Sequence, residues 1–464
     1  MNISPAAFWL QRIAGGLVAS ALLGCTSLPT IVPDMARGNA RPQLAGAGGP
    51  LTAERSKEIL DQLQGSRPDS NVFDRHLALE QAISDSPLSA GNKVVLLEDG
   101  PQTYRAMLAA IDAARDHINM ETYILEDDET GQHFADALIA KQRAGVQVNL
   151  IRDSVGTIGT KKEFFKRLTD AGIKVLEFNP VNPLEAKVGW DVNQRDHRKL
   201  LIADGRIALL GGINISSVYS GGSSSGYGSR GAGQKQPWRD TDLQVEGPVV
   251  AEFQKLFIET WEKQKGEPLA KRQYFPALQP RGDDVVHAIG STPDDPFSLI
   301  YATLISAIDN AEREVLLTNA YFVPDPQLLA SLKAAVARGV DVRLVLPGTS
   351  DAPLVFHAGR SYYDELLSAG VKIYERRRAL LHSKTALIDG VWSTVGSTNL
   401  DWRSFLHNQE LNAVVLGAAF GAQMRASFER DLENSEQIIL DKWRWRSVAT
   451  RAKEAFARVW QYWL

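Results

Sequence analysis

Apolar positions along this chain follow two periods, and the arrangement occurs twice. Tyr104, Met107, Leu108 and Ile111 stand at offsets 0, 3, 4 and 7, the stripe of an amphipathic helix. Tyr301, Leu304, Ile305 and Ile308 repeat those offsets 197 residues later. Strand-like runs follow each helix, at 118–124 and 315–323. RAGVQVNLI (143–151) is answered by ARGVDVRLV (337–345), and AGIKVLE (171–177) by AGVKIYE (369–375). Each of these reads as a helix closed by a glycine cap and followed by a buried strand. Helix and strand alternating in this way predict an α/β fold. The duplication predicts two homologous lobes, about 90–266 and 267–440, each a mixed sheet flanked by helices.

Composition narrows the class. A length of 464 residues corresponds to about three units, or two large ones with extensions. With 44% apolar and 23% charged residues the chain has ordinary globular material for a core. A net charge of -4 argues against a protein that coats nucleic acid. A mean hydropathy of -0.19 argues against a multispan membrane protein. One cysteine excludes an intrachain disulfide and a Cys-rich zinc site.

That cysteine is placed suggestively. Arg12 precedes an uninterrupted run of apolar and small residues, Ile13 to Gly24, too short to cross a bilayer but sized for a signal-peptide core. Leu22-Leu23-Gly24-Cys25 resembles the bacterial lipobox, which implies a signal peptide over 1–25 and lipidation of Cys25. The expected location is the bacterial cell envelope, lipid-anchored and facing the periplasm. Thr26 after the cysteine favours the outer membrane over the inner. Residues 26–50, rich in Pro, Gly and Ala, read as a flexible tether, and 51–89 as a helical extension without a legible role. At the other end, 442–464 holds six Lys/Arg, one Glu and the tryptophans 443, 445, 460 and 463. A basic, Trp-rich C-terminal helix over 441–464 is what a membrane interface favours. Packing of Phe456 and Val459 onto the body is the competing expectation.

Both lobes carry one signature: His197-Arg198-Lys199 with Asp204-Gly205, and His382-Ser383-Lys384 with Asp389-Gly390. In a strand, His and Lys two residues apart share a face. Asp-Gly then closes a hairpin, putting Asp204 and Asp389 at the far strand end, away from the imidazoles. Each hairpin leads to a small-residue turn with an asparagine, Asn214 or Asn399. A single HxK is unspecific; two at equivalent points of a repeat are not. The pattern resembles the phospholipase D superfamily, and within it the shorter bacterial cardiolipin synthases, over about 90–464. The second copy, HSKTALIDGVWSTVGSTNLDWRSFLHNQE, follows the family motif through Glu410. The first departs after Asn214, where a Gly/Ser-rich stretch (220–236) intervenes, read as a loop with a lid as the alternative.

The resemblance implies an active site at the lobe interface and a metal-free double displacement. His197 is then the nucleophile, forming a phosphohistidine, and His382 the general acid, although the repeat's symmetry lets the roles exchange. Lys199 and Lys384 neutralise phosphoryl oxygens, Asn214 and Asn399 add hydrogen bonds to the phosphate, and Asp204 and Asp389 enter the catalytic set with the signature. A nucleophilic imidazole also needs an acceptor on its other nitrogen. Glu410 matches the family's carboxylate there, and Asp242, preferred slightly over Asp240, is the first-lobe candidate. No carboxylate cluster has metal-ligand spacing, so neither a metal nor another cofactor is implied.

The leading expectation is a phosphatidyl transferase making cardiolipin from phosphatidylglycerol. A hydrolytic phospholipase D and a phosphodiesterase or nuclease are the alternatives, with a non-catalytic lipid-binding protein behind them. The expected partners are phospholipids and a membrane surface, met through the Cys25 lipid and the C-terminal helix; nucleic acid is not among them.

Overall fold

The computed structural model describes residues 42–64, 72–84, 86–182, 190–221 and 237–464. The expected signal peptide, Cys25, the first part of the tether and most of the Gly/Ser-rich stretch lie outside the described residues. Among the described residues the first lobe contributes β1 (Leu88–Leu97), β2 (His117–Thr122), β3 (Gln147–Asp153), β4 (Lys174–Phe178), β5 (Leu200–Ala203), β6 (Ile207–Gly211) and β7 (Asp242–Glu246). The second contributes β8 (Asp284–Ser291), β9 (Glu314–Asn319), β10 (Asp341–Pro347), β11 (Lys372–Arg376), β12 (Lys384–Ile388), β13 (Trp392–Gly396) and β14 (Asn408–Leu416).

Pairing orders the first set β4-β3-β2-β5-β6-β7-β1. The second set runs β11-β10-β9-β12-β13-β14-β8, the same order in equivalent strands. The equivalent strands β1 and β8 then pair antiparallel, Asp284 against Asn92 and Val286 against Ser89. One mixed sheet therefore crosses both lobes, with a pseudo-twofold axis at the β1–β8 seam.

The parallel edge of each lobe requires crossover helices, and the sequence supplies their ends. Asp128 caps Glu129–Arg143 by accepting from the Gly131 N–H at 2.9 Å. Asp325 caps Pro326–Ala337 by accepting from the Gln327 N–H at 2.9 Å. Both helices stop at a glycine in the left-handed region, Gly145 (φ 90°) and Gly339 (φ 91°), where a side chain would be strained. Helices Val250–Lys263 and Ala418–Glu433 fill a core common to the two lobes, with Phe253, Phe257 and Trp261 from one and Phe420, Met424 and Phe428 from the other. Burying this many large side chains across the junction, at roughly 1.5–3 kcal/mol each, disfavours separation of the lobes.

Two expectations about the flanks need correction. Residues 44–50 are not a tether: Leu44–Gly46 and Gly49–Pro50 form a hairpin, and Leu44, fully buried, pairs parallel with Leu88. The extension is docked by a polar knot. The Glu80 carboxylate takes His76 Nε2 at 2.9 Å, His287 Nδ1 at 2.5 Å and the Trp392 indole N–H at 3.1 Å, all buried. Burial alone would raise the Glu80 pKa, but the two imidazoles hold it well below the usual carboxylate range. The knot ties helix Leu77–Ile83 to the second lobe. At the C-terminus two helices replace the expected one, Leu440–Arg444 and Val448–Val459. Phe456 and Val459 point outward rather than onto the body.

Candidate active site

The two signature strands start at the sheet end where β2 and β9 finish, Glu121 facing Leu200 and Asn319 facing Lys384. Each is clamped by the opposite lobe. Arg195–Asp196 pairs with Asn408–Gln409, and the His197 N–H donates to the Gln409 carbonyl at 2.9 Å. Trp238–Arg239 pairs with Leu380–Leu381, and the His382 N–H donates to the Arg239 carbonyl at 2.7 Å. Backbone ladders thus fix both histidines relative to the partner lobe before any side chain is considered.

The side chains repeat this exchange. His197 Nδ1 lies 3.1 Å from both oxygens of Glu410, which comes from the second lobe. Glu410 also accepts from Ser397 Oγ at 2.5 Å and Asn408 Nδ2 at 3.1 Å. His382 Nδ1 lies 2.6 Å from Oδ2 of Asp240, which comes from the first. The acceptor of each imidazole is therefore supplied in trans. Asp242, the expected partner, is corrected to Asp240: the Asp242 carboxyl accepts from the Ile213 N–H at 3.0 Å and burial beside Asp240 pushes its pKa up to about 8. Gly212 makes room for the true partner, since a Cβ there would stand 2.3 Å from Asp240 Oδ1.

The halves are not copies. Lys384 Nζ sits 2.7 Å from His382 Nδ1 and the Tyr219 hydroxyl 3.3 Å from it, so that nitrogen has three polar neighbours. The rings of Trp238, Tyr219 and Tyr321 surround His382 at 5.0, 5.9 and 6.1 Å. Around His197 the ring contact is Tyr123, at 5.0 Å. Lys199 donates to the His197 carbonyl at 2.5 Å and stands 5.1 Å from the centre of the Tyr123 ring, a cation–π placement.

Burial dominates the electrostatics. It pushes His197 down to about 4 against the pull of Glu410, and His382 down to about 4 with help from Lys384. It also lowers Lys199 to about 7 and Lys384 to about 8. Burial would raise Glu410, but His197 and Lys199 hold it below the usual carboxylate range. Lys384 acts on His197 and Lys199 on His382, so the four groups share one field across the lobe boundary. Two depressed cations beside two neutral imidazoles are poised for an anion.

The other sequence-derived residues fall in different places. Asn214 accepts from the Ile124 N–H at 3.0 Å and donates to the Tyr219 hydroxyl at 3.1 Å, so its amide supports that tyrosine. Asn399 Oδ1 is buried without a hydrogen-bond partner among the described residues. Asp204 and Asp389 are a correction to the catalytic set. Asp204 accepts the backbone N–H groups of Arg115, Asp116 and His117, and Asp389 those of Glu312, Arg313 and Glu314. Both begin left-handed two-residue turns, with φ of 53° and 52°, at the far end of the signature strand. They secure the hairpin and do not reach the imidazoles. Just before the second signature, Arg376 is tied into an ion pair with Asp431 at 3.1 Å and Arg377 into pairs with Glu375 and Glu436 at 3.2 and 3.1 Å.

Two lobes of one topology, joined at a site to which each gives a histidine, a lysine and the other's carboxylate, define a duplicated phospholipase D-like protein. The family model for the cardiolipin synthase PLD-like domain matches residues 107–219 and 304–432. The cardiolipin synthase of Alkalihalophilus pseudofirmus is 35% identical over 385 residues, 82% of this chain and 74% of that protein. Cardiolipin synthase 2 of Bacillus anthracis is 35% identical over 366 residues, 78% of this chain and 69% of that protein. This chain belongs to the cardiolipin synthase family of PLD-like proteins. In fold it is similar to the phosphatidylserine synthase of Haemophilus influenzae Rd KW20, with a TM-score of 0.61 at 12% identity over 83% of this chain and 99% of that one.

Proposed function

We propose that the protein is a phosphatidyl transferase that makes cardiolipin from two molecules of phosphatidylglycerol, releasing glycerol. The observation that carries this reading is the reciprocal clamp, which directs His197 and His382 to one site while tying Nδ1 of each to the other lobe's carboxylate. Nε2 of each ring is then the atom that meets substrate.

The difference between the halves supports the assignment of roles. His197 Nδ1 has the single acceptor Glu410, so its N–H stays there and Nε2 keeps a lone pair for attack. His382 Nδ1 stands between the carboxylate of Asp240 and the ammonium of Lys384, so its protonation responds to charge arriving at the lysines. In the first step His197 Nε2 attacks phosphorus, the phosphorus–glycerol oxygen bond breaks, and protonated His382 gives its Nε2 proton to the leaving glycerol. In the second, His382 takes the proton of the acceptor lipid's hydroxyl, that oxygen attacks phosphorus, and the phosphorus–nitrogen bond breaks to restore His197. Lys199 and Lys384 meet the phosphoryl oxygens; preorganised donors of this kind are worth roughly 3–4 kcal/mol each. With His197 only 8% and His382 4% exposed, the site gives water little access, which favours transfer over hydrolysis.

The test is to supply the purified protein with phosphatidylglycerol in mixed micelles and identify lipid products by mass spectrometry. Cardiolipin with glycerol is expected. Phosphatidic acid alone makes the enzyme a hydrolase, and cutting of DNA without lipid turnover makes it a nuclease. Attachment through a lipid on Cys25 and a periplasm-facing place in the cell envelope, at the outer membrane, complete the proposal on the sequence alone. Cys25→Ser is expected to block lipidation and processing, read from the mass of the N-terminal peptide.

A further inference from the structure

The C-terminal helix Val448–Val459 has its polarity inside out. The residues it turns inward include Glu454, which is buried and paired with Arg446 at 2.8 Å, and Ala457. Its outward face carries Val448, Ala449, Ala452, Ala455, Phe456 and Val459, a stripe at helical spacing that a soluble helix would bury. Phe456 is 63% and Val459 70% exposed. The flanking turns extend the stripe with Trp445, 89% exposed, and with the exposed Trp460 and Trp463. A contiguous apolar surface of this kind marks an interaction site.

We propose that this face docks on an anionic lipid bilayer and thereby aligns the active site with its substrate. Charge identifies the occupant. Lys442, Arg444, Arg451, Lys453 and Arg458 are exposed beside the stripe, while the one carboxylate of the helix is turned inward. Indoles with cations, and no exposed acid on the helix itself although Asp441 is exposed just before it, suit the head-group region of an anionic membrane, whereas a protein partner would have to offer a large acidic and apolar groove. Position identifies the purpose. The Leu464 carbonyl accepts from the Arg403 N–H at 3.1 Å, and the Tyr462 ring lies tilted against that of Trp402 with centres 5.6 Å apart. Arg403 in turn donates to Asn193 at 3.1 Å, four residues before His197. Exposed Ile158 follows β3 and exposed Leu354 follows β10, at the sheet end where the histidines stand. The C-terminal turn thus packs on the segment that leads into the His197 signature, and docking there brings the bilayer close to the site. The inference rests on the proposed reaction only for the use of that closeness.

An environment-sensitive fluorophore attached through Phe456→Cys, in the full chain carrying Cys25→Ser, tests it. Vesicles of equal phosphatidylglycerol and phosphatidylcholine are expected to shift its emission to the blue, and pure phosphatidylcholine to do so far less. The same probe attached through Asp170→Cys, in the loop-side end of helix Lys162–Asp170, is expected to stay unchanged. Introducing Val459→Asp and Trp463→Asp is expected to weaken vesicle binding at the Phe456→Cys probe by at least about 10-fold. No spectral change with either vesicle, an equal change at both probe positions, or a change that follows protein concentration without lipid would overturn the proposal; the last would make the face an interface with a second copy. Because the readout is binding, its failure with cardiolipin still formed in micelles refutes docking alone, and its success without turnover refutes the reaction alone.

Discussion

The His197 half and the His382 half of the site descend from one repeated motif, yet they differ where acid–base chemistry is decided. His197 faces one carboxylate, and Ser397 and Asn408 hold that carboxylate in turn. His382 faces a carboxylate, a lysine and a tyrosine at the same nitrogen, inside a cage of three aromatic rings. The position that is Ser397 in one half is Gly212 in the other, and Ser404, which accepts from the Asn399 N–H, stands where the first lobe has Tyr219. Duplication supplied two equivalent frames, and substitutions at the contacts of Nδ1 leave one imidazole with a single carboxylate and the other between a carboxylate and a lysine. Proton transfer needs such a difference, because one ring must attack while the other donates.

The sharpest way to break the comparison is to remove each ring in turn. His197→Ala and His382→Ala are each expected to reduce turnover by roughly 10⁴-fold or more. A phosphodiester with a nitrophenolate leaving group, which needs no acid, is expected to restore at least about 10²-fold to His382→Ala and nothing to His197→Ala; equal rescue would erase the distinction. Next in size are the acceptors. Glu410→Gln is expected to cost about 10³-fold in kcat and Asp240→Asn about ten times less, since Lys384 and Tyr219 still hold His382, as steady-state kinetics on both variants will show. The pH profile follows. Lys199 and Lys384, lowered by burial to about 7 and about 8, are charged below those values and neutral above them. Hence kcat/KM is expected to fall as pH rises through 7 to 8, with the limb for kcat shifted upward because bound phosphate stabilises the ammonium forms. Tyr219→Phe, which removes a neighbour of one ring only, is expected to lower kcat by about 10-fold and leave KM unchanged. Smallest in kinetics is Asp389→Asn: activity per folded molecule should persist while thermal stability falls by about 1–3 kcal/mol, the scale of charge-assisted hydrogen bonds lost from a buried turn.

Much of this frame is written in the local pattern. The 197-residue repeat, the glycine-capped helices and the two HxK strands are periodicities and short motifs, which a single chain displays directly. Contacts made in trans are not local. Nothing near His197 announces Glu410, 213 residues away, because strand pairing across the lobes brings it there. The choice between Asp240 and Asp242 was nevertheless available: counting back seven residues from Gly417 reaches Glu410, and seven back from Gly247 reaches Asp240. Both glycines occupy the left-handed region, with φ of 115° and 124°, and anchor the register. Counted forward from Asn214 instead, the Gly/Ser-rich stretch (220–236) breaks the match between the lobes. Tyr219 and Trp238 gave no signal because a three-residue helical turn and a two-residue strand are too short to show a period, and His76, Glu80 and His287 become a latch only when two distant segments meet in the core.

The central claim is that two imidazoles from opposite lobes act on one phosphorus atom in unequal roles. Rapid mixing with phosphatidylglycerol, quenching under alkaline conditions that preserve phosphohistidine, and peptide mass spectrometry test it most directly. The phosphatidyl adduct is expected on His197 in the native protein; adduct on His382, or turnover to cardiolipin with no adduct on either ring, would contradict the account.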